Sequence, residues 1–520
     1  MLRTRSILLF CSLFLLSQTY KFLIYAPKFR QSQINFLGTI ADVLVEEGHD
    51  VTMISPVVSD RAPLNGTKLA KVVTVDHDPN CEITIIDEKI WEVYETSFSE
   101  KLNWSRRIVH IHACQCKTTL KQATLIEDLR KENFDLGISE AFDLCSMPFF
   151  HLAKVEKHVL VSSMMLVDWV ATLFGAPNLP SVVPASFGHL SNNVSYIERI
   201  YNIIDLWISD NFMLSMRDAI QEVIDKKYAR QIMDVEKKLT QATFVFVNAH
   251  PIVDFPRLIS ERIENIGGLG VAKPKSLDAY WEGVMTARKT TVLLSFGSVA
   301  KSCEMPERMK KAILETFKRF PEVTFIWKYE KDEDEIAKDV PNVVTNSWVP
   351  QTDLLNHPNL KLIINQAGIS SILESSTFAV PMICIPLFGD QMRNSKMFEK
   401  LGTEKSATKL ILTDSDAFER VIKDVLGDKS YQENADRLAD MLANSPRDNR
   451  AHMVKYMEFA AEFGAFSGKK MPQLNFFQYH LLDIIIPVFL GFMAVLGAIV
   501  YCCYKLFKVL NTPLKKIKRS

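Results

Sequence analysis

The chain has 520 residues, enough for two sizeable domains that each bury a core of their own. Lysine plus arginine and aspartate plus glutamate both number 61, so the formal net charge is zero. A neutral chain has no overall field that would attract nucleic acid or an acidic polymer, and neither is expected as a partner.

The N-terminus has the order of residues that is typical of a secretory signal peptide. Two arginines precede an apolar run over residues 7–16, and small or polar residues follow it before a strand-like segment begins at Lys21. The apolar run is too short to span a bilayer. We therefore expect residues 1–19 to be removed, so that the mature chain begins near Tyr20.

A second apolar run, residues 484–504, predicts a transmembrane helix. It contains no charged residue, and a helix of this length rises about 31 Å, close to the hydrocarbon thickness of a bilayer. A buried core helix is the alternative. The basic tail 505–520 predicts a type I topology with the preceding domains in the lumen. Lys516 and Lys518 have the spacing of a dilysine retrieval signal, which predicts the endoplasmic-reticulum membrane, although they would also anchor the helix at lipid headgroups.

Glycosylation sequons and cysteines agree with a lumenal chain. Sequons begin at Asn65, Asn103 and Asn193, all in the part that is expected to be lumenal. Six cysteines lie outside the signal peptide and the membrane segment. Their spacing predicts neither a metal site nor a disulfide scaffold, and it leaves one or two disulfides open.

Short apolar runs alternate with amphipathic stretches, as in an α/β fold. Near the N-terminus, the segment FLIYAP indicates a strand. A helical stretch over residues 34–47 follows it and is expected to end at Gly48, and VTMIS then indicates a second strand. The same order recurs after residue 290. This alternation predicts two parallel, doubly wound sheets.

A glycine-containing junction over residues 265–270 is predicted to join the two sheets, although a surface turn would have the same composition. A hinge there would put a cleft between an N-terminal domain, 20–266, and a C-terminal domain, 267–466. A juxtamembrane segment, 467–483, would follow. Residues 149–238 are helical in pattern and rich in aromatics and methionine, which suits the wall of an apolar ligand site and ordinary helical packing equally.

The strand predicted over residues 360–364 ends in Asn-Gln-Ala-Gly and runs into a helix. Small residues at this point let an anion approach free backbone N–H groups, where the helix dipole favours negative charge. The pattern therefore predicts a diphosphate site. Ser370 or Ser371 is expected to be the N-cap. With Ser371 as the cap, Glu374 would complete a capping box, a structural role that competes with a role in binding.

The segment from Trp348 to Gln391, WVPQTDLLNHPNLKLIINQAGISSILESSTFAVPMICIPLFGDQ, resembles the signature of the UDP-glycosyltransferases. With a signal peptide and a membrane anchor, the chain resembles the UDP-glucuronosyltransferases of that family, and NAHPIVDFPR over residues 248–257 resembles nematode members. This resemblance implies a GT-B fold, in which two Rossmann-like domains face each other across a cleft. It also implies a UDP-sugar, UDP-glucuronate by the family name, as co-substrate without a further cofactor or metal.

The resemblance assigns donor-binding roles to residues of this segment. Trp348 would stack on uracil, with core packing as its alternative, and Gln351 would bond the edge of the base. Glu374 would accept both ribose hydroxyls. Asp390 and Gln391 would bind the sugar hydroxyls, with Asn394 close behind. The phosphates would meet Ser298 of the SFGS turn and the donor-loop residues Gln366, Gly368, Ser370 and Ser371.

The donor loop departs from the family pattern. Gln366 occupies the position of a phosphate-contacting histidine, Ala367 that of a glycine, and Ser370 that of an asparagine. Glutamine donates a hydrogen bond to phosphate but carries no positive charge, so stabilisation of the leaving group is expected to be weaker by about 1 kcal/mol. We expect donor binding to survive this change.

The resemblance also implies an inverting displacement, with a histidine of the first loop as general base and a carboxylate that orients it. The matching positions are Gln33 and Glu140, and no histidine lies between Tyr20 and Gly48. An alcohol is a poor nucleophile at neutral pH, so its proton must leave as the new bond forms. Loss of a general base typically costs about 10² to 10⁴ in rate.

Three hypotheses follow. In the first, an active detoxification enzyme transfers a sugar to small lipophilic acceptors that need little base catalysis, such as amines or acidic phenols, with Glu140 taking the proton through water. In the second, an impaired paralogue binds UDP-sugar and acts as a partner of related transferases in a homo- or hetero-oligomer. In the third, a residue that the sequence does not identify replaces the histidine.

Overall fold

The computed structural model describes residues 19–59, 62, 64–81, 90–91, 98–228, 232–465 and 474–511. The predicted signal peptide before Thr19 and both lysines of the retrieval signal lie outside these ranges. The described chain forms two compact units, one ending at Ala465 and the other comprising residues 474–511.

A parallel sheet of seven strands forms the first half of the larger unit. Its strand order is β3-β2-β1-β4-β5-β6-β7, and every neighbouring pair is parallel. The apolar residues of the central strands are buried on both faces, as expected when helices cover both sides of a parallel sheet. The strands are β1 (Lys21–Tyr25), β2 (Asp50–Pro56), β3 (Lys71–Val75), β4 (Leu136–Glu140), β5 (His158–Ser162), β6 (Val245–Val247) and β7 (Ile263–Asn265).

Helices cover this first sheet and connect its strands. The helix predicted over residues 34–47 begins three residues earlier and ends one residue earlier. The helices are α1 (Gln31–Glu46), α2 (Phe98–Leu120), α3 (Ala123–Lys131), α4 (Ser146–Leu152), α5 (Asp168–Leu173), α6 (Tyr196–Lys227) and α7 (Val235–Thr240).

A second parallel sheet, of six strands in the order β10-β9-β8-β11-β12-β13, follows along the chain. Its strands are β8 (Thr290–Ser295), β9 (Val323–Lys328), β10 (Val343–Asn346), β11 (Leu360–Asn365), β12 (Met382–Cys384) and β13 (Glu404–Ser406). The helices of this half are α8 (Ala279–Thr286), α9 (Glu307–Lys318), α10 (Gln351–Leu355), α11 (Ile369–Thr377), α12 (Gln391–Leu401), α13 (Ser415–Gly427) and α14 (Lys429–Ala443). Short 3₁₀ segments span Ser302–Glu304, Asp332–Asp334 and Lys409–Thr413. The two sheets confirm the predicted pair of Rossmann-like domains.

Helix α15 (Asn449–Phe463) returns to the first sheet. Its residues Met453 and Met457 are buried in the same core cluster as Ile138 of β4 and Phe246 of β6. By sequence this helix falls inside the predicted C-terminal domain, 267–466, but its packing partners belong to the N-terminal one. The chain therefore crosses between the two sheets twice.

Two disulfides fix α2 to its surroundings. Cys81 pairs with Cys114, and Cys116 pairs with Cys145, with Cα–Cα distances of 5.7 and 5.5 Å. The sequence left the pairing open. Both bonds start from the last two turns of α2, so they hold this helix against the segment after β3 and against the loop that follows β4.

The smaller unit contains α16 (Phe476–Tyr479) and α17 (Leu482–Leu510). Over Leu482–Lys508, α17 is long and apolar enough to cross a membrane, which fits the predicted single-pass anchor. It extends beyond the predicted 484–504 at both ends and contains Pro487 near its start.

Candidate functional site

The donor loop lies between β11 and α11 and is held by side chains of its own domain. The Oδ1 atom of Asn365 accepts a hydrogen bond from the Ala367 N–H at 2.7 Å, and Asn394 Nδ2 donates to the Ala367 carbonyl at 3.0 Å. Ala367 has a φ of 64°, a left-handed conformation that a side chain disfavours. This explains why glycine is expected at this position in the family. The loop leads into the N-terminus of α11, where free backbone N–H groups suit an anion.

The prediction that Ser370 or Ser371 caps this helix is wrong. Gly368 is the N-cap, and Ser370 and Ser371 are the second and third residues of α11. The capping box with Glu374 is therefore absent. Gln351 Nε2 donates instead to Glu374 Oε2 at 2.6 Å and to Ser371 Oγ at 3.1 Å. Burial raises the pKa of Glu374, and the hydrogen bond from Gln351 acts in the opposite direction.

Of the residues predicted to bind the nucleoside, Gln351 and Glu374 are joined by a hydrogen bond, and Trp348 lies three residues before Gln351 in the chain. Trp348 is 64% exposed just before α10, so the alternative of core packing is wrong for this residue. Gln351 is the first residue of α10, and its contacts with Ser371 and Glu374 join α10 to α11. An exposed aromatic ring beside a linked amide and carboxylate offers stacking and hydrogen bonding to one planar, polar-edged ligand.

The side chain of Gln366 lies against the SFGS turn. Gly297 in that turn has a φ of 74°, and a Cβ atom added to it would lie 2.3 Å from Gln366 Nε2. The Oε1 atom of Gln366 is buried without a hydrogen-bond partner in the part of the chain that the structure describes. Gln366 is thus packed between the donor loop and the turn that carries half-buried Ser298. The structure brings together the two segments that were predicted to hold phosphate.

Asp390 and Gln391 lie at the start of α12, but they are not equally available to a ligand. The buried Gln391 accepts hydrogen bonds through Oε1 from the Leu387 and Phe388 N–H groups at 2.9 and 3.0 Å. The side-chain carbonyl oxygen of Gln391 therefore holds the loop before α12 in place. Asp390 is half-buried and accepts one bond from Asn394 Nδ2 at 2.8 Å. Burial raises the pKa of Asp390.

Arg30 is a site residue that the sequence analysis missed. It precedes α1, and its guanidinium lies 4.7 Å from the ring centroid of Phe388 and 4.9 Å from that of Phe29. It is also close enough to oppose the burial effect on the pKa of Asp390. A cation from the first domain thus reaches the loop of the second domain that was predicted to bind the sugar. One arginine in a loop gives no sequence signal of this kind.

The two predicted catalytic positions lie at the carboxyl edge of the first sheet. Gln33 is the third residue of α1, after β1, and is 9% exposed. Glu140 is the last residue of β4, the strand that pairs with β1, and is 2% exposed. Burial raises the pKa of Glu140 to about 7, although hydrogen bonds from Ser163 and nearby backbone N–H groups act in the opposite direction.

A buried histidine–carboxylate pair lies just after Glu140 in the fold, where the Asp143 N–H donates to the Glu140 carbonyl at 3.3 Å, and it too was missed. His112 Nδ1 of α2 lies 3.0 Å from Asp143 Oδ2. The His112 ring contacts Phe29 and Phe142, with centroid distances of 5.0 and 5.8 Å. Both members of the pair are buried, so neither reaches solvent in this conformation. His112 was not recognisable because its partner is 31 residues away in sequence.

A pocket of about 130 Å³ lies between the two domains at the donor helix. It is lined by Ser32 and Asn35, which flank Gln33, and by Ser370 and Glu374 from α11. The structure therefore places the first turn of α1 opposite the donor helix. Within the described ranges, no group of three histidine, cysteine, aspartate or glutamate residues could hold a metal ion.

The sequon asparagines are all on the surface. Asn65, Asn103 and Asn193 are exposed, and Asn65 Oδ1 accepts a hydrogen bond from Lys28 Nζ at 2.7 Å. Exposure is a requirement for glycan attachment.

The geometry can be compared with known proteins. The family model "UDP-glucoronosyl and UDP-glucosyl transferase" matches residues 21–519. The chain is 27% identical over 485 residues to the Caenorhabditis elegans protein "Putative UDP-glucuronosyltransferase ugt-46", with 91% of each chain covered. It is also 27% identical over 485 residues to mouse "UDP-glucuronosyltransferase 1A9", covering 90% of this chain and 88% of the mouse protein.

Solved structures support the same fold. "Structure of Phytolacca americana UGT2 complexed with UDP-2fluoro-glucose and pterostilbene" has a TM-score of 0.58 at 16% identity and covers 85% of this chain and 100% of its own. "Crystal Structure Analysis of the Glycotransferase of kitacinnamycin" has a TM-score of 0.57 at 13% identity, with 85% and 99% covered. These likenesses confirm the predicted GT-B fold. Because the family model covers nearly all of the sequence, the chain belongs to the UDP-glucuronosyl and UDP-glucosyl transferase family.

Proposed function

We propose that this protein transfers a sugar from a UDP-sugar to a small lipophilic acceptor, with inversion at the anomeric carbon. The observation that carries the proposal is the hydrogen-bonded pair of Gln351 and Glu374 beside the N-terminus of α11, with the exposed ring of Trp348 three residues before Gln351. Such a set offers an aromatic platform, hydrogen bonds for a nucleoside and N–H groups for a diphosphate. The family supports the same donor class, and so does the Phytolacca protein, whose structure is a complex with UDP-2fluoro-glucose.

Glu140 is the residue that we propose as the general base. Gln33 has no atom that accepts a proton at neutral pH, whereas Glu140 is the last residue of the neighbouring strand β4 and has its pKa raised to about 7. A base with a pKa near the working pH transfers protons most effectively. We propose that it acts through a water molecule, because its side chain is buried. Amines and acidic phenols would be the preferred acceptors.

We propose glucuronic acid as the sugar. The names of the relatives suggest it. The position of Arg30 supports it independently, because a guanidinium beside Phe388 and Asp390 supplies positive charge where the sugar would lie. Guanidinium groups bind carboxylates through charge-assisted hydrogen bonds. A neutral hexose would gain less from this cation.

The second candidate function is that of an impaired paralogue that binds UDP-sugar and associates with active relatives. The observation in its favour is Gln33 at the position of the expected base.

For either function we propose a type I protein of the endoplasmic-reticulum membrane, with glycosylated lumenal domains and a role in detoxification. The exposed sequons and the anchor-like helix support this location.

Donor binding is the test that decides the proposed function. Full-length protein would be titrated with radiolabelled UDP-glucuronate, UDP-glucose and UDP-N-acetylglucosamine. We expect UDP-glucuronate to bind, and Trp348→Ala to weaken its binding about 10-fold or more through lost stacking. Trp207→Ala, at another exposed tryptophan, is the matched control and should leave binding unchanged. If none of the UDP-sugars bound, the proposal would be wrong.

A further inference from the structure

The start of α6 has apolar side chains on its exposed side and polar side chains on its buried side, the reverse of an ordinary surface helix. Its outward side chains are mostly apolar, and Tyr196, its first residue, is 69% exposed. Over residues 196–207 the buried residues are polar, with Asn202 1% exposed and Asp205 7% exposed, and the apolar inward side begins at Ile208. A surface helix normally has the opposite distribution, with its apolar stripe against the core.

The inward polar residues hold the helix in this orientation. Asn202 accepts a hydrogen bond from the Ala185 N–H at 2.8 Å and donates to the Pro180 and Val183 carbonyls at 2.7 and 2.8 Å. Asp205 pairs with Lys101 of α2 at 2.5 Å. Rotation of the helix to bury its apolar side would leave these groups without partners, which is costly. The apolar surface is therefore a fixed feature of the fold.

We define the outward side chains of residues 196–207 as the apolar face of α6. It includes Tyr196, Ile200, Tyr201, Ile203, Ile204 and Trp207. As a helix, these residues extend over about 18 Å, and large contiguous apolar surfaces of this kind usually mark contact with another molecule or a membrane. Isoleucine together with tyrosine and tryptophan is also the composition of helices that lie at a lipid–water boundary.

The surface that continues from this face along the second half of α6, to Lys226 about 28 Å beyond Trp207, carries several cations. A groove of about 760 Å³ runs between α2 and α6 and shares Trp207 with the apolar face. The cationic residues Arg106, Lys117, Lys121, Lys226 and Lys227 line it, together with the acidic Glu222. Clustered lysine and arginine beside an apolar helix favour a surface of anionic lipid headgroups.

We infer that the apolar face of α6 is a second membrane contact, on which the larger unit rests at an anionic lipid surface. The occupant is a bilayer, because the chain also carries α17, which fits a membrane anchor and would keep lipid at a high local concentration. Helix α6 would lie parallel to the membrane surface, with its apolar face turned towards the lipid headgroups. The contact would bring the N-terminal domain to the phase in which lipophilic acceptors concentrate.

Site-specific photo-crosslinking tests this contact in the full-length chain. A benzophenone amino acid would replace Ile203, and in a matched control it would replace Leu258, an exposed residue of a loop in the same unit. Each protein would be reconstituted in vesicles of phosphatidylcholine and phosphatidylserine in a ratio of roughly 4:1 and irradiated. We expect at least about five-fold more lipid adduct at position 203 than at position 258.

A paired substitution gives a second measurement. Ile200→Glu with Ile204→Glu places charge on the apolar face and should reduce the lipid adduct at position 203 about five-fold. Leu258→Glu with Ile259→Glu, which changes exposed apolar residues elsewhere, should leave it unchanged. Retained UDP-sugar binding would show that each variant is folded. Equal lipid labelling at positions 203 and 258, or a crosslink from position 203 to a second copy of the chain, would overturn the inference.

Discussion

The two domains of this protein differ in how far they match the family pattern at the positions predicted for donor binding and for catalysis. In the second domain, Trp348, Gln351 and Glu374 are all present, Gln351 bonds Glu374, and the donor loop tolerates Gln366 and Ala367. In the first domain, the position of the general base is held by Gln33. Binding depends on many contacts, each of modest value, whereas proton transfer depends on one atom that can accept a proton. A single substitution can therefore remove a base while the donor site survives.

The largest effect is expected from Glu140→Gln. If Glu140 is the base, kcat should fall by about 10² to 10⁴ while UDP-sugar binding stays unchanged. In the unchanged protein, the rate should rise with pH and level off above about 7, since only the deprotonated carboxylate accepts a proton. Steady-state kinetics from pH 5 to 9, approximate limits chosen to bracket this pKa, would measure both effects.

The same substitution should raise stability. Because the pKa of Glu140 is raised on folding, its contribution to stability is present at low pH and is lost as pH rises through about 7. Glu140→Gln removes the cost of a buried charge, so the free energy of unfolding at pH 8 should increase by roughly 3 kcal/mol. Glu404→Gln is the matched control. Burial also raises its pKa, to about 8, but it bonds Ser395 behind the donor site, and its loss should not change the pH profile of catalysis.

The next largest effect is expected from Gln33→His, which restores the family residue. We expect kcat for a simple alcohol to rise by about 10- to 100-fold, with a smaller gain for an amine. Gln31→His, two residues earlier in the same helix turn, is the matched control. If the starting protein is inert with both acceptors and the variant is active, the impaired paralogue becomes the better description. If the starting protein already glycosylates alcohols efficiently, the importance assigned to the missing base is wrong.

Arg30→Ala tests whether this cation of the first domain contributes to the proposed selection of UDP-glucuronate over UDP-glucose. Loss of this cation should lower kcat/KM for UDP-glucuronate about 10-fold and change that for UDP-glucose little, because only the uronate carries a carboxylate. Arg199→Ala, which removes another guanidinium from an aromatic ring, should change neither value. Equal losses for both donors would assign Arg30 to loop structure rather than sugar selection.

The smallest effect is expected from Gln366→His. A cationic ring near the phosphates should stabilise the leaving UDP by about 1 kcal/mol more, a gain in kcat of roughly five-fold. Gln366→Leu fills similar space without a donor and should lose activity. The comparison tests the Nε2 group of Gln366, because only that group donates to a phosphate oxygen, whereas the buried and unpartnered Oε1 atom is an acceptor. No change in the histidine variant would mean that the neutral amide is sufficient.

The sequence predicted the local elements of the donor site well, because they depend on short-range patterns. The strand predicted over residues 360–364 corresponds to β11, and the glycine-rich junction before residue 290 precedes the second sheet. The N-cap of α11 was predicted wrongly, because serine is favoured at N-caps and the chain uses Gly368 where the loop needs a small residue. Glu374 was then free to bond Gln351 of another helix.

The sequence could not predict contacts between distant segments. Arg30 reaches Phe388 across the two domains, and His112 pairs with Asp143 on another element of the first domain. Helix α15 follows the second domain in sequence but packs on the first sheet. The orientation of α6 was equally hidden, since its mixture of polar and apolar residues is compatible with either side facing inward until Asn202 and Asp205 meet their partners.

By itself, the sequence determined the pair of α/β domains, the anchor-like helix and the nucleotide-sugar signature, because periodicity, an uninterrupted apolar run and a long motif are all local properties. The tertiary structure decided the environment of Glu140, the approach of Arg30 to Phe388 and the outward apolar face of α6. A pKa, a charge between two domains and the exposed side of a helix depend on neighbours that only folding brings together.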